Sequence, residues 1–169
     1  MDRLWSPWRL AYVTGDARSI DCVFCDARQN EQSALIVFQG RVCFVILNLF
    51  PYNNGHLMVI PNRHVATLAE ATSAELVELI ELTRCAEMAL QEAYAPHGLN
   101  MGINLGKPAG AGVLNHIHMH VVPRWNGDTN FMTVVGETRV LPEELPASAA
   151  RLRPIFERLV HAERERPSA

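Results

Sequence analysis

The chain reads as an α+β protein with an antiparallel sheet. Three observations carry that reading. Short apolar runs of strand length fall into two groups, a long helical segment with its own start signal separates them, and a second helical segment follows near the C-terminus.

Residues 1–20 show no regular pattern and carry Trp5, Trp8 and Tyr12, an arm expected to pack on the domain or on a partner subunit. Residues 34–38 (A-L-I-V-F) and 42–47 (V-C-F-V-I-L) read as two strands joined in a hairpin at Gln39-Gly40. A third strand, 56–60, follows a turn over Pro51–Gly55. Thr72 then starts a helix, with Glu75 three positions on to complete a capping box. Leu76, Leu79, Ile80, Ala86 and Leu90 mark its apolar stripe, and it ends before Pro96 and Gly98. Leu99–Asn104 and His116–Val122 supply two further strands. A last helical segment is expected within 143–165, interrupted near Pro154 because proline removes a helical N–H. The expected organisation is an arm over 1–19, one domain over 20–130, and a C-terminal segment with a helix over 131–169.

The 169 residues suit a single domain, and 49% hydrophobic content is enough for a real core. The formal net charge is −3 and no basic stripe appears, so duplex nucleic acid is not an expected partner. No apolar run reaches membrane-spanning length and no signal-peptide pattern opens the chain, so a cytoplasmic location without membrane association is expected. Four cysteines occur, but nothing points to secretion or to disulfides. Cys43 and Cys85, in a strand and a helix, read as small buried hydrophobes.

The richest segment is N-H-I-H-M-H-V-V-P-R-W, in which His116, His118 and His120 alternate with Ile117, Met119 and Val121. A strand sends alternate side chains to opposite faces, so three imidazoles share one face at steps of about 6.5–7 Å. Two chemistries suit such a row: metal binding by neutral imidazole, and nucleophilic or acid–base work at phosphorus. The preceding run, Gly102 to Val113, favours phosphorus. Its glycines let backbone N–H groups turn toward an anion, and it carries Lys107, the only lysine of the chain. It is not a Walker loop, because no G-K-[ST] leads into a helix.

On these residues the chain resembles the histidine triad (HIT) family, over roughly 20–130. H-I-H-M-H-V-V-P-R resembles the family signature, and G-H-L-M-V-I-P (Gly55 to Pro61) resembles the strand before its central helix. G-I-N-L-G, the terminal P-R-W and the N-terminal L-W-S-P-W-R are similar to the bacterial dinucleoside-polyphosphate branch. The resemblance implies a five-stranded antiparallel sheet with a central and a C-terminal helix, assembled as a two-fold homodimer. It implies a nucleotide substrate attacked by the central histidine, His118, with a nucleotidyl-histidine intermediate. His120 is then expected at the α-phosphate and leaving group, and His56 as a residue orienting the nucleophile or as a buried, hydrogen-bonded histidine. Asn48 matches a ribose-binding position, and Asn104, Gly112 and Val113 match the phosphate-binding loop. Trp125 suits base stacking or a capping role equally.

Cys22-Val-Phe-Cys25 is a C-x-x-C pair that can hold zinc with two further ligands; a redox role is the competing reading, but its βαβ context is missing. Zinc-bearing members of the family add a histidine after I-P-x-x and the first triad histidine. The resemblance therefore implies a structural zinc on Cys22, Cys25, His64 and His116. The activity implied is hydrolysis or phosphorolysis of diadenosine polyphosphates. Phosphoramidate hydrolysis, and nucleotide binding with little turnover, are the rivals. A galactose-1-phosphate type of transferase fits less well, since His120 stands where that branch usually has glutamine.

Overall fold

The structure, a computed structural model, describes residues 22–29, 34–129 and 141–165. The aromatic arm and residues 130–140 lie outside them. Five strands form one antiparallel sheet: β1 (Ile36–Gln39), β2 (Cys43–Leu47), β3 (Leu57–Pro61), β4 (Gly98–Ile103) and β5 (Met119–Arg124), in the order β1-β2-β3-β5-β4. Among the described residues three α-helices accompany it: α1 (Val23–Gln29), α2 (Ser73–Tyr94) and α3 (Leu145–Arg164). The α+β expectation holds, and the expected strands are present with their ends moved by no more than three residues.

Strand parity divides the apolar residues between two cores. Cys43, Val45 and Leu47 of β2 and Leu57 and Val59 of β3 join Leu82, Ala86 and Leu90 of α2 and Leu152 and Phe156 of α3. Phe44, Ile46, Met58 and Ile60 point to the other face, where Cys22 and Phe24 of the α1 region cover them. Both central strands are thus buried on both sides, which explains why they read as unbroken apolar runs. Cys43 and Cys85 are buried, as their apolar settings suggested.

The capping box at Thr72 and Glu75 is present in both directions. The apolar stripe is rotated from the expected one. Leu79, Ala86 and Leu90 are buried, but Ile80 is 59% exposed, and Glu75 and Glu78 take the inward positions instead. A carboxylate can occupy such a place only when it is fully bonded. Glu78 accepts the backbone N–H groups of Arg41, Val42 and Cys43, clamping the β1–β2 turn. Burial pushes its carboxyl up, but those donors outweigh it and the pKa lies below the usual range. Glu75 takes a two-pronged bond from Arg63 as well as its cap. The Arg63 bond outweighs burial and holds the Glu75 carboxyl at about 2.

Helix α3 is not interrupted near Pro154; it runs through. The carbonyl that loses its partner belongs to Ala150, and both residues face solvent, where water can replace the bond. Leu152, Phe156 and Leu159 anchor the helix on both sides of the proline. Arg153 donates to the carbonyls of Ala34 and Ile36 at the outer end of β1.

Candidate active site and metal centre

The three histidines do not all lie on a strand. β5 begins at Met119, so only His120 is paired, between Met58 of β3 and Gly102 of β4. The polar groups of residues 116–118 are used elsewhere. The Ile117 N–H donates to Val65 at 2.7 Å, the His116 Nε2–H to the Pro61 carbonyl at 2.9 Å, and the His118 Nδ1–H to the His116 carbonyl at 2.9 Å. The segment is therefore stitched to the end of β3 and the loop after it rather than to a ladder. His120 shares the face of Met58, away from α2 and α3, and Gly102 opposite it adds no side chain.

His118 is buried, yet its Nε2 is the ring nitrogen left as an acceptor once Nδ1 holds the proton. Burial pushes its pKa below the usual histidine value, against the opposing bond to His116. Phe24 lies against it, with ring centroids 5.0 Å apart, and also meets His116 edge-on. His120 stands at a right-angled 4.8 Å ring contact from His118, and burial, then His118 itself, push it down to about 4.

His56 is fully buried, and its bonds define a proton order. The Tyr52 backbone N–H donates to His56 Nδ1 at 3.1 Å, and a backbone amide cannot act as the acceptor. Neutral His56 therefore carries its proton on Nε2 and donates it to His120 Nδ1 at 2.9 Å. That assigns the His120 proton to Nε2. His56 thus has a bonded role beyond packing, toward His120. Asn48 Nδ2 also approaches His56 Nδ1, at 3.4 Å, while its Oδ1 accepts from the Phe50 N–H.

Asn104, Gly112 and Val113 fall in the loop between β4 and β5. Gly106 and Gly110 adopt positive φ on either side of a short 3-10 turn over Lys107–Ala109, and Asn104 Nδ2 lies beside Gly110. Gly112 is exposed, with open space where a Cβ would stand. Trp125 is half-buried beyond β5, its N–H bonded to Asp128.

Cys22, Cys25, His64 and His116 converge, with one ligand atom of each within 4.8 Å of the others. Cys22 Sγ and Cys25 Sγ are 3.2 and 3.6 Å from His116 Nδ1, and Cys25 Sγ is 3.4 Å from His64 Nδ1. Sulfur and nitrogen ligands at ordinary zinc distances and a tetrahedral angle stand about 3.6 Å apart. The bond from His116 Nε2–H to Pro61 leaves Nδ1 as the lone-pair nitrogen facing the thiols. The donor set and its geometry fit a closed, four-ligand zinc site.

Sequence reasoning missed Phe24, Tyr52 and the backbone carbonyls of Pro61 and His116. Phe24 sits inside the C-x-x-C pair, whose spacing signals the two sulfurs and nothing about the residue between them. Backbone contributions carry no residue-type signal at all.

A strand-ordered sheet with an imidazole cluster beside a Cys/His centre defines a class, and the family profile named "HIT domain" matches residues 29–127. The chain belongs to the HIT domain family. It is 39% identical over 154 residues to the AP-4-A phosphorylase of Mycobacterium tuberculosis (strain H37Rv), covering 86% of this chain and 79% of that one. A crystal structure of a zinc-bound histidine triad family protein from Mycobacterium smegmatis superposes with a TM-score of 0.67 at 30% identity, over 83% of this chain and 96% of that one. A hypothetical histidine triad nucleotide-binding protein from Sulfolobus tokodaii superposes at 0.70 with 26% identity, over 88% of this chain and 100% of that one.

Proposed function

We propose that the protein is a nucleotidyl-transferring enzyme that cleaves diadenosine polyphosphates through a nucleotidyl-histidine intermediate. One observation carries the reading: the His118 Nδ1–H is pinned to the His116 carbonyl, which leaves the lone pair on Nε2, in a ring 4.8 Å from that of His120. The likeness to an AP-4-A phosphorylase over most of the chain supports the substrate class.

His118 Nε2 attacks the α-phosphorus, a bond forms from nitrogen to phosphorus, and the bond to the bridging oxygen breaks. With diadenosine tetraphosphate the leaving group is ATP, a stable anion that needs no proton. His120 Nε2–H offers a fixed donor to the charge that builds on the phosphate oxygens. In the second step an oxygen of inorganic phosphate attacks and releases ADP, or water attacks and releases AMP. In this reading Asn48 meets the ribose, Trp125 a base, and Asn104 with the N–H groups of Gly112 and Val113 the phosphates. Zinc on Cys22, Cys25, His64 and His116 is structural in this reading, because four protein ligands leave no open position. A bound zinc supplies folding energy there; the reacting groups are the chain's own.

A homodimer fits the same reading. The outer edge of β4 has no partner strand among the described residues and exposes Met101, and α2 exposes Val77, Ile80 and Met88. Among the described residues no helix is long and apolar enough to cross a membrane.

Turnover of diadenosine tetraphosphate with and without inorganic phosphate tests the function. ADP and ATP appearing only with phosphate mark phosphorolysis, and AMP and ATP mark hydrolysis. Binding without turnover under both conditions leaves the nucleotide-binding rival in place and refutes the enzyme.

A further inference from the structure

The loop that carries Tyr52 to His56 is held from outside the site. Asn53 Nδ2 donates to the Pro123 carbonyl at 2.9 Å and to Asp128 Oδ2 at 2.7 Å. The β3–β5 ladder ends at the Leu57–Val121 pair, so beyond it this side chain does the work of a missing strand residue. The Asn53 carbonyl in turn accepts the His56 N–H at 3.2 Å. Asp128 is itself fixed by Arg124 Nε and Nη2, at 2.6 and 2.8 Å, and by the Trp125 N–H at 3.1 Å. Arg124 reaches on to Asn100 of β4. The turn after β5 and the turn before β3 are thereby one unit, 75 residues apart in sequence.

We propose that Asn53 and Asp128 are positioning residues that lock the His56–His120 pair with both protons on Nε2. The lock works chiefly through one backbone amide, Asn48 Nδ2 at 3.4 Å being a longer contact to the same nitrogen. While Asn53 holds the loop, the Tyr52 N–H stays aimed at His56 Nδ1, so no proton can sit there. The His56 proton is then confined to Nε2, and His120 Nδ1 can only accept. If the loop slides, His56 Nδ1 loses its shorter donor and can take a proton, His120 can turn over its tautomer, and its fixed Nε2–H donor is lost. His118 and Tyr52 are in ring contact with the pair, and neither supplies this constraint. The placement of the donor matters to catalysis only if His120 acts as proposed above, but the lock itself does not depend on turnover.

The test reads the rings directly. Long-range 15N–1H correlation spectra of histidine-labelled, zinc-loaded full-length protein at neutral pH should show His56 and His120 as neutral Nε2–H tautomers. In Asn53→Ala, His120 should show a mixture of tautomers, and single-turnover attack on diadenosine tetraphosphate should fall about tenfold or more while nucleotide binding changes by less than about threefold. Asp128→Asn keeps the shape, weakens the bonds, and should move the ring signals the same way by less; it also serves if Asn53→Ala fails to fold. Leu159→Ala, which loosens the core under α3 instead, should leave the ring signals unchanged. Wild-type spectra with a proton on Nδ1 of either ring overturn the proposal. So do variants with wild-type ring signals, or the same change in Leu159→Ala. A locked pair in a protein that turns over nothing refutes the proposed function and leaves the lock standing.

Discussion

His118 and His116 share one hydrogen bond, from the His118 Nδ1–H to the His116 carbonyl at 2.9 Å, while the ring of that same His116 faces Cys22 Sγ at 3.2 Å. The proposed nucleophile is thus oriented by the backbone of a proposed metal ligand. Loss of the metal should be felt at His118, not only in stability. Protein purified without added metal should hold about one zinc per chain by elemental analysis, the stoichiometry of a closed four-ligand site. Cys22→Ser should lose it, melt at lower temperature, and react more slowly in the first turnover. A metal-free protein that is fully folded and fully active would refute the coupling.

Removing the nucleophile separates binding from chemistry. His118→Ala should abolish the covalent intermediate and lower turnover by about three orders of magnitude or more, with nucleotide affinity largely kept. Trapping with labelled nucleotide and acid quench measures the intermediate. Near-normal single-turnover chemistry in the variant would show that another atom attacks.

His120 gives stability a pH dependence with a defined sign. Its folded-state pKa is depressed to about 4, chiefly by burial, from an ordinary 6.5. Between those values the unfolded chain binds the extra proton and the folded one does not. The contribution is therefore complete above about pH 6.5 and is lost as pH falls toward about 4. Urea titrations at pH 7 and 5 should show His120→Asn losing less stability over that interval than the wild type. An equal loss in both would mean that His120 does not titrate as its setting dictates.

Glu78 is a structural carboxylate with no counterpart in the chemistry. Its replacement by Ala leaves three N–H groups of the β1–β2 turn without their acceptor, and should cost about 2–4 kcal/mol. Glu78→Gln should cost less, since one acceptor oxygen remains. Chemical denaturation of both variants checks the order, and a neutral Ala variant would sink the clamp.

The edge of β4, which has no partner strand among the described residues, makes an assembly prediction. Sedimentation in dilute solution should give a dimer, and a charged residue at the exposed Met101, as in Met101→Glu, should drive it toward monomer. A wild-type protein that sediments as a stable, active monomer would rule the dimer out.

What was legible in the sequence is what short-range physics writes there. The capping box at Thr72, the apolar runs of β2 and β3, and the spacing of His116, His118 and His120 depend on neighbours a few residues away. The resemblance to a family added the four-ligand set, and the structure brings those side chains together from positions 91 and 94 residues apart. The tertiary structure decided the rest. Which imidazoles lie on a strand depended on what held residues 116–118: the Ile117 N–H found Val65 in the loop after β3, and the His116 ring found the Pro61 carbonyl at the end of β3. The burial of Glu78 depended on three donors supplied by another element, so its charge misled the helical pattern that placed Ile80 inside. The continuity of α3 through Pro154 depended on anchoring by Leu152 and Phe156 and on solvent at Ala150. The Asn53–Asp128 bond exists because β5 inserts between β3 and β4, which brings the end of one strand beside the turn before another. Periodicity and propensity record only a residue's immediate surroundings; which buried polar groups meet is settled by the order in which the strands pack.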